Sequence, residues 1–259
     1  MPFTFSHPAA VMPLRRIRSL PTLALIVGSV TPDLPYYTPG FLYSAFRETH
    51  SLQGSIELCL PLGMILLACG LFLRRPLTAL MSERARWVSL TAADRFLARR
   101  VNWLLAVPAL LIGSWTHILW DALTHPGTWL VRRINILSAP VDVFGLYTGE
   151  VSHVLQYASS IFGLLVLAYW YAQVARDAPQ TRVEESDRPG LRLLLLVIVV
   201  TAAIAIGSIQ ALHTIHPTST FYRAAYLLIT RTLAWFMLLY VAAGVLVSLT
   251  EPPQPQPEL

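Results

Sequence analysis

Three side chains that can bind a metal recur at every fourth position in one stretch of the sequence. His117, Asp121 and His125 have the spacing i, i+4, i+8, which on an α-helix brings them onto one face within about two turns. Two imidazoles and a carboxylate along one helix edge are ligands that divalent cations use in proteins. Pro126 disfavours helical geometry at the residue before it, so the helix is predicted to end near His125. The competing interpretation is that a histidine at a helix end serves as a cap or an interfacial polar group.

The chain that carries this edge is too apolar for a soluble domain. It has 259 residues, of which 55% are hydrophobic and 13% charged, against about 25% charged in a typical soluble domain. A helix needs about 20 apolar residues to span a membrane. Five stretches approach that length: Leu58–Leu73, Val101–Trp120, Leu155–Val174, Leu191–Ile209 and Ala225–Leu249. The predicted fold class is all-α, a polytopic membrane helical bundle with about five spanning helices.

An N-terminal apolar run from Leu20 to Val30 is too short to span alone. It follows Arg15, Arg16 and Arg18 as in a secretory signal, but the residues around it offer no clean small-x-small cleavage site. We therefore predict a buried or re-entrant helix. Residues 1–250 are predicted to form a single membrane-embedded domain, and the Pro-rich residues 251–259 a disordered tail.

The arginines predict the orientation of the chain in the membrane. Seven lie between Arg74 and Arg100 and four between Arg176 and Arg192, and positively charged loops stay in the cytoplasm. This topology puts the candidate site on the non-cytoplasmic side. Because the arginines are dispersed over loops and form no basic face, we predict no nucleic-acid partner.

All seven histidines fall on the outer side under this topology. Asp33 and Asp121 join them without obvious ion-pair partners. His117 and Asp121 lie at membrane depth, where ionisable groups are costly and mark functional sites. For His213 and His216 the interfacial interpretation is favoured, and His153 fits either role. The histidines are His7, His50, His117, His125, His153, His213 and His216.

Several short motifs together resemble a known family. They are Phe5-Ser6-His7-Pro8-Ala9-Ala10, Gly28-Ser29-Val30-Thr31-Pro32-Asp33, Thr49-His50-Ser51 with Gly54, His117-x3-Asp121-x2-Thr124-His125-Pro126, and Leu155-Gln156-Tyr157-Ala158-Ser159-Ser160. Over most of its length the sequence resembles the domain of unknown function 4184 family of bacterial integral membrane proteins. The same order of motifs is distantly similar to inner-membrane metal-dependent hydrolases and zinc-dependent phospholipase C. The resemblance implies a bacterial inner-membrane location and leaves the substrate open.

Convergence of these motifs would supply six metal donors. They are His7, Asp33, His50, His117, Asp121 and His125. A catalytic zinc takes three protein ligands and keeps one position open, so six donors have room for two ions. Mixed nitrogen and oxygen donors suit Zn, Mn or Fe, and zinc is the favoured ion. Glu48, two residues before His50, is the candidate general base.

Two functions remain as hypotheses. The first is a membrane-bound metal-dependent hydrolase that acts on a phosphoester or ester at the membrane surface, with membrane lipid and a small-molecule or lipid-linked substrate as partners. The second is a non-enzymatic membrane metal-binding or transport protein. The sequence shows no inverted repeat of the kind found in many transporters, which favours the first.

Overall fold

A computed structural model describes residues 3–37, 46–145, 147–176, 189–215 and 221–250. The predicted tail at 251–259 and His216 lie outside the described residues, and the single-domain prediction stays a prediction. The described chain is almost entirely helical, so the predicted all-α class is confirmed. Its helices are α1 (Pro8–Val11), α2 (Thr22–Val30), α3 (Phe46–Thr49), α4 (Leu52–Gly54), α5 (Leu60–Phe72), α6 (Arg74–Thr78), α7 (Glu83–Leu97), α8 (Val101–Thr124), α9 (Trp129–Arg133), α10 (Asn135–Ser138), α11 (Val151–Arg176), α12 (Pro189–Thr214) and α13 (Phe221–Thr250).

Five helical stretches of the described chain are long and apolar enough to cross a membrane, as the sequence predicts. In the first, a π-helical turn (Ser55–Cys59) joins α4 to α5. Large apolar side chains on these stretches point outward, for example Leu104 on α8 and Phe162 on α11. A soluble protein rarely exposes so much contiguous apolar surface, whereas lipid accommodates it. The stretches are Leu52–Phe72, Val101–Thr124, Val151–Arg176, Gly190–Thr214 and Arg223–Thr250.

Helix α2 is the short N-terminal helix that the sequence predicts as buried or re-entrant. It begins after Pro21, whose backbone is extended, and Ala24 and Leu25 are fully buried. Beyond Val30 the chain tightens into a 3-10 helix (Thr31–Tyr37). Prolines at positions 32 and 35 lack the amide hydrogen that a continuing α-helix would use.

A small antiparallel hairpin interrupts the helical pattern. Strands β1 (Pro140–Val143) and β2 (Tyr147–Glu150) pair with Val143 opposite Tyr147. Gly145 adopts φ of 70° in the connecting turn, a left-handed conformation that glycine takes without steric cost. The sequence analysis did not predict this hairpin, because strands of four residues are too short to show a periodic pattern.

The chain divides into two compact units. The first comprises Met1–Pro35, Phe41–Ala68 and Phe96–Gln173, and the second comprises Tyr36–Gly40, Cys69–Arg95 and Val174–Leu259. In the second unit, α12 and α13 approach closely at Gly207, where an added Cβ would lie 2.6 Å from the Cα of Thr232. All six candidate metal donors belong to the first unit.

Candidate metal centre

The candidate centre is built where α2 crosses α8. Gly28 and Gly113 allow the two backbones to touch: a Cβ on Gly28 would lie 2.8 Å from the Cα of Leu110, and one on Gly113 would lie 2.8 Å from the amide nitrogen of Ser29. The Ser114 hydroxyl donates across the crossing to the Gly28 carbonyl at 3.1 Å. Small residues at such a crossing let helices approach within backbone contact. The crossing therefore brings the next turn of α8 against the end of α2.

His117 lies on that next turn and is fully buried. Its Nδ1 is 2.7 Å from the backbone carbonyl of Ser29. A carbonyl oxygen only accepts, so Nδ1 carries the hydrogen and a neutral ring has its lone pair on Nε2. That Nε2 is 3.4 Å from Asp33 Oδ1 and 3.3 Å from Asp121 Oδ2. A metal-binding histidine is usually oriented by this kind of hydrogen bond.

Asp33 is presented by the 3-10 helix that follows α2 and is 2% exposed. The Thr4 hydroxyl donates to its Oδ2 at 2.6 Å. Its other oxygen, Oδ1, faces the Nε2 atoms of His117 at 3.4 Å and His50 at 3.5 Å. One carboxylate oxygen is thus held by a hydroxyl while the second points into the cluster.

His50 enters the cluster from the turn between α3 and α4. The buried Thr49 hydroxyl donates to the carbonyl of Pro32 at 3.0 Å, and its oxygen is 3.2 Å from His50 Nδ1. Because the single hydroxyl hydrogen is used, Nδ1 of His50 is the donor in this contact. The opposite nitrogen, Nε2, lies 3.3 Å from Asp121 Oδ2.

These contacts bring four predicted donors together. One ligand atom each from Asp33, His50, His117 and Asp121 lies within 4.8 Å of the other three. When both imidazoles are neutral, all four atoms are lone-pair acceptors and two belong to carboxylates, so they repel one another unless a proton or a metal ion lies between them. The four residues could therefore hold a metal ion.

Two further predicted donors flank this group and are not part of it. His7 is 3% exposed, its ring stacks on that of His117 at 3.7 Å, and its Nε2 is 3.5 Å from Asp121 Oδ1. Among the described residues neither ring nitrogen of His7 finds a hydrogen-bond partner, a costly arrangement for a buried polar group. His125 ends α8, with extended backbone as Pro126 predicts. Its Nδ1 contacts the Asp121 carbonyl at 3.1 Å.

Four ionisable groups of this region lie outside the spanning helices, and burial and neighbouring charges shift the pKa of each. Burial and the neighbouring His117 lower the pKa of His7 to about 3, and burial lowers the pKa of His125. Burial opposes ionisation of Asp33, yet His117 and His50 hold the pKa of that carboxyl well below its usual range. Burial also opposes charging of His50, but contacts with Asp121 and Asp33 raise its pKa. The cluster thus attracts positive charge.

Other polar residues of the motifs have different roles. The exposed Glu48 is not in the converging group among the described residues, and its role as general base stays a prediction. Ser51 caps α4 by accepting from the Gly54 amide at 2.9 Å. His153 lies on α11 with its ring 5.0 Å from that of Tyr157, and His213 is exposed near the end of α12.

The sequence analysis missed two groups that orient the donors. They are the Thr4 hydroxyl and the backbone carbonyl of Ser29. A backbone carbonyl carries no residue-type signal, and a lone threonine near the N-terminus gives none either. Thr49 did carry a signal, because it directly precedes His50.

The chain matches a known protein family over nearly its whole length. One family, described as "Domain of unknown function (DUF4184)", matches residues 1–249. The chain belongs to this family. All six candidate donors lie within the matched residues. The five apolar helical stretches lie there too, except for Thr250 at the end of the fifth. No curated protein and no solved structure matches the chain.

Proposed function

We propose that this chain is a membrane-bound metal-dependent hydrolase that acts on a phosphoester or ester substrate at the membrane surface. The observation that carries the proposal is the convergence of four acceptor atoms, from Asp33, His50, His117 and Asp121, within 4.8 Å of one another. Two carboxylates and two imidazole nitrogens in one largely buried cluster are a donor set that fits a divalent cation.

The donor set favours a catalytic cation over a structural one. It contains no thiolate, and mixed nitrogen and oxygen ligation suits Zn, Mn or Fe, with zinc the ion we favour. When bound, such a cation supplies Lewis-acid chemistry, in that it activates water near neutral pH and polarises a phosphoryl or carbonyl oxygen. Glu48, on α3 two residues before His50, remains the proposed general base.

The chain's own groups hold the ligands in place before any cation binds. The Ser29 carbonyl orients His117, the Thr4 hydroxyl orients Asp33, and Thr49 orients His50. Outer partners of this kind fix ring orientation and tautomer and increase the affinity of the ligands. A site arranged in this way needs little reorganisation to bind substrate.

Asp121 is suited to bridge two ions. Its Oδ2 faces the Nε2 atoms of His50 and His117, whereas its Oδ1 lies 3.5 Å from Nε2 of His7 and 3.6 Å from Nδ1 of His125. His125 contacts the Asp121 carbonyl through Nδ1, which leaves its Nε2 for a ligand. A second ion beside Asp121 Oδ1 would give Nε2 of His7 the partner that a histidine ligand requires, and paired ions can stabilise both the attacking and the leaving oxygen.

Substrate would approach from the side of His50 and His125. Their side chains are 19% and 26% exposed, whereas those of His117 and Asp33 are 0% and 3% exposed. The cluster is therefore closed on the side of His117 and Asp33 and exposed on the side of His50 and His125. We propose that this exposed side of the cluster lies on the non-cytoplasmic side of a bacterial inner membrane, which the arginine distribution supports.

The test is hydrolysis by detergent-purified protein supplied with Zn, Mn or Fe. A screen of phosphoester and ester substrates should find turnover that a chelator removes. Asp121→Asn should lose that turnover by roughly 100-fold or more, as ligand changes do, whereas Asp142→Asn, at an exposed position in β1, should retain it. Stoichiometric metal with no metal-dependent turnover of any substrate would overturn the hydrolase proposal and favour a metal-binding or transport role.

A further inference from the structure

A long cavity of about 590 Å³ lies in the first unit, between one face of α11 and the N-terminal segment. On α11 its lining includes Ser159, Phe162, Val166, Tyr169 and Gln173. These positions recur at three- or four-residue steps and therefore share one helix face. From position 159 to position 173 the face extends about 21 Å. We call this cavity the α11 groove.

The middle of the α11 groove is apolar. Ala9, Ala10, Met12 and Pro13 form the wall opposite α11. The N-terminal segment approaches closely because of Gly163, where a Cβ would lie 2.9 Å from the carbonyl oxygen of Ser6. Water gains few hydrogen bonds in such a lining, whereas a hydrocarbon chain loses none.

The two ends of the α11 groove differ in charge. Arg15 and Arg16 line one end, where the Arg15 guanidinium carbon lies 5.9 Å from the ring centroid of Trp170. The opposite end is lined by His7 of the candidate metal centre and by Trp120, whose indole nitrogen donates to the Ser159 hydroxyl at 3.1 Å. A ligand of the whole groove would thus have an anionic end and an apolar body.

We propose that the α11 groove binds one anionic membrane phospholipid, with its phosphate at Arg15 and Arg16 and one acyl chain along the apolar face of α11. Guanidinium groups bind phosphate through paired, charge-assisted hydrogen bonds. One leaflet contributes about 15 Å to a hydrocarbon core of about 30 Å, so the groove is long enough for one chain. Since α11 is a candidate span and Phe162 and Tyr169 on this face are largely exposed, a lipid in the membrane would reach the groove. The lipid site extends beyond the proposed function, since binding requires no metal.

Lipid binding can be measured on the full chain in detergent. Native mass spectrometry would count bound palmitoyl-oleoyl phosphatidylglycerol against the zwitterionic phosphatidylcholine, with inorganic phosphate as a competitor. We expect one phosphatidylglycerol per chain, weak phosphatidylcholine binding, and no displacement by equimolar phosphate. The double variant Arg15→Gln/Arg16→Gln should weaken phosphatidylglycerol binding by roughly 30-fold, since each arginine contributes about tenfold or less at a membrane surface.

Controls separate this site from the metal centre and from misfolding. Arg18→Gln removes a nearby exposed arginine that does not line the groove and should bind lipid like the wild type. Val166→Trp should exclude the chain, whereas Asp121→Asn should lose metal and keep the lipid. Equal binding of the two lipids, an equal effect of Arg18→Gln, or displacement by free phosphate would each overturn the proposal. Unchanged metal content in the double variant shows that its fold is retained.

Discussion

The ring of His117 is fixed by the backbone of Ser29, which accepts from Nδ1 at 2.7 Å. Because this contact determines the tautomer, the Nε2 lone pair has to face the carboxylates of Asp33 and Asp121. A lone pair facing two carboxylates is unfavourable unless a proton or a metal lies between them. The position of His117 relative to Ser29 thus prepares this end of α8 as a site that could hold a metal ion.

The Thr4 hydroxyl should be needed for metal affinity although it is not a ligand. Thr4→Val removes the 2.6 Å hydrogen bond to Asp33 while keeping the side-chain shape. Loss of such an outer partner lowers metal affinity by roughly 10- to 100-fold. Competition with a chelator measures the dissociation constant. Thr116→Val is the matched control, since that hydroxyl donates within its own helix to Gly113; equal dissociation constants for the two variants would refute a role for Thr4.

The glycine crossing of α2 and α8 should tolerate no side chain. Gly113→Ala forces the backbones apart, because its Cβ would lie 2.8 Å from the Ser29 amide nitrogen. Overpacking of this kind costs about 1–3 kcal/mol of unfolding free energy and moves Ser29 away from His117. Gly70→Ala is the control, since no atom of the described residues would lie within 4 Å of the added Cβ, and it should change stability by less than about 1 kcal/mol. The free energies of unfolding of the two variants are measured in detergent. A Gly113→Ala variant as stable as the wild type would contradict the close approach of α2 and α8.

Metal removal should lower the thermal stability of the wild type. A ligand that binds only the folded state stabilises it by about 2.7 kcal/mol at one hundred times its dissociation constant. We expect a chelator to lower the melting temperature of the wild type and of Asp142→Asn. In Asp121→Asn one charged acceptor is gone, so the chelator should have no effect. A chelator response in Asp121→Asn equal to that of the wild type would argue against Asp121 as a ligand.

The orientation in the membrane is tested by reporter fusions. A reporter active only in the cytoplasm should be active when fused after Arg86 and silent when fused after Arg133, because the Arg-rich segment stays inside. The reverse pattern would move the proposed site to the cytoplasmic side.

The spans could be predicted from the sequence because lipid imposes one simple requirement, a long apolar helix. The end of α8 was predictable too, since Pro126 restricts His125. The clustering of Asp33 and His50 with His117 depends on packing that residue types do not encode, such as the backbone contact at Gly28 and Gly113. For the same reason the sequence could name six donors but could not tell the converging four from His7 and His125.

The central claim is that His117 and its three neighbours hold a metal ion, and metal content tests it most directly. Metal should be measured by elemental analysis on monodisperse wild type, His117→Ala and His213→Ala. His213 is exposed and outside the converging group of described residues, so its variant controls for the general loss of a histidine. We predict at least one equivalent of metal in the wild type and in His213→Ala, and a substoichiometric amount in His117→Ala. Equal metal content in the wild type and His117→Ala would contradict the metal centre.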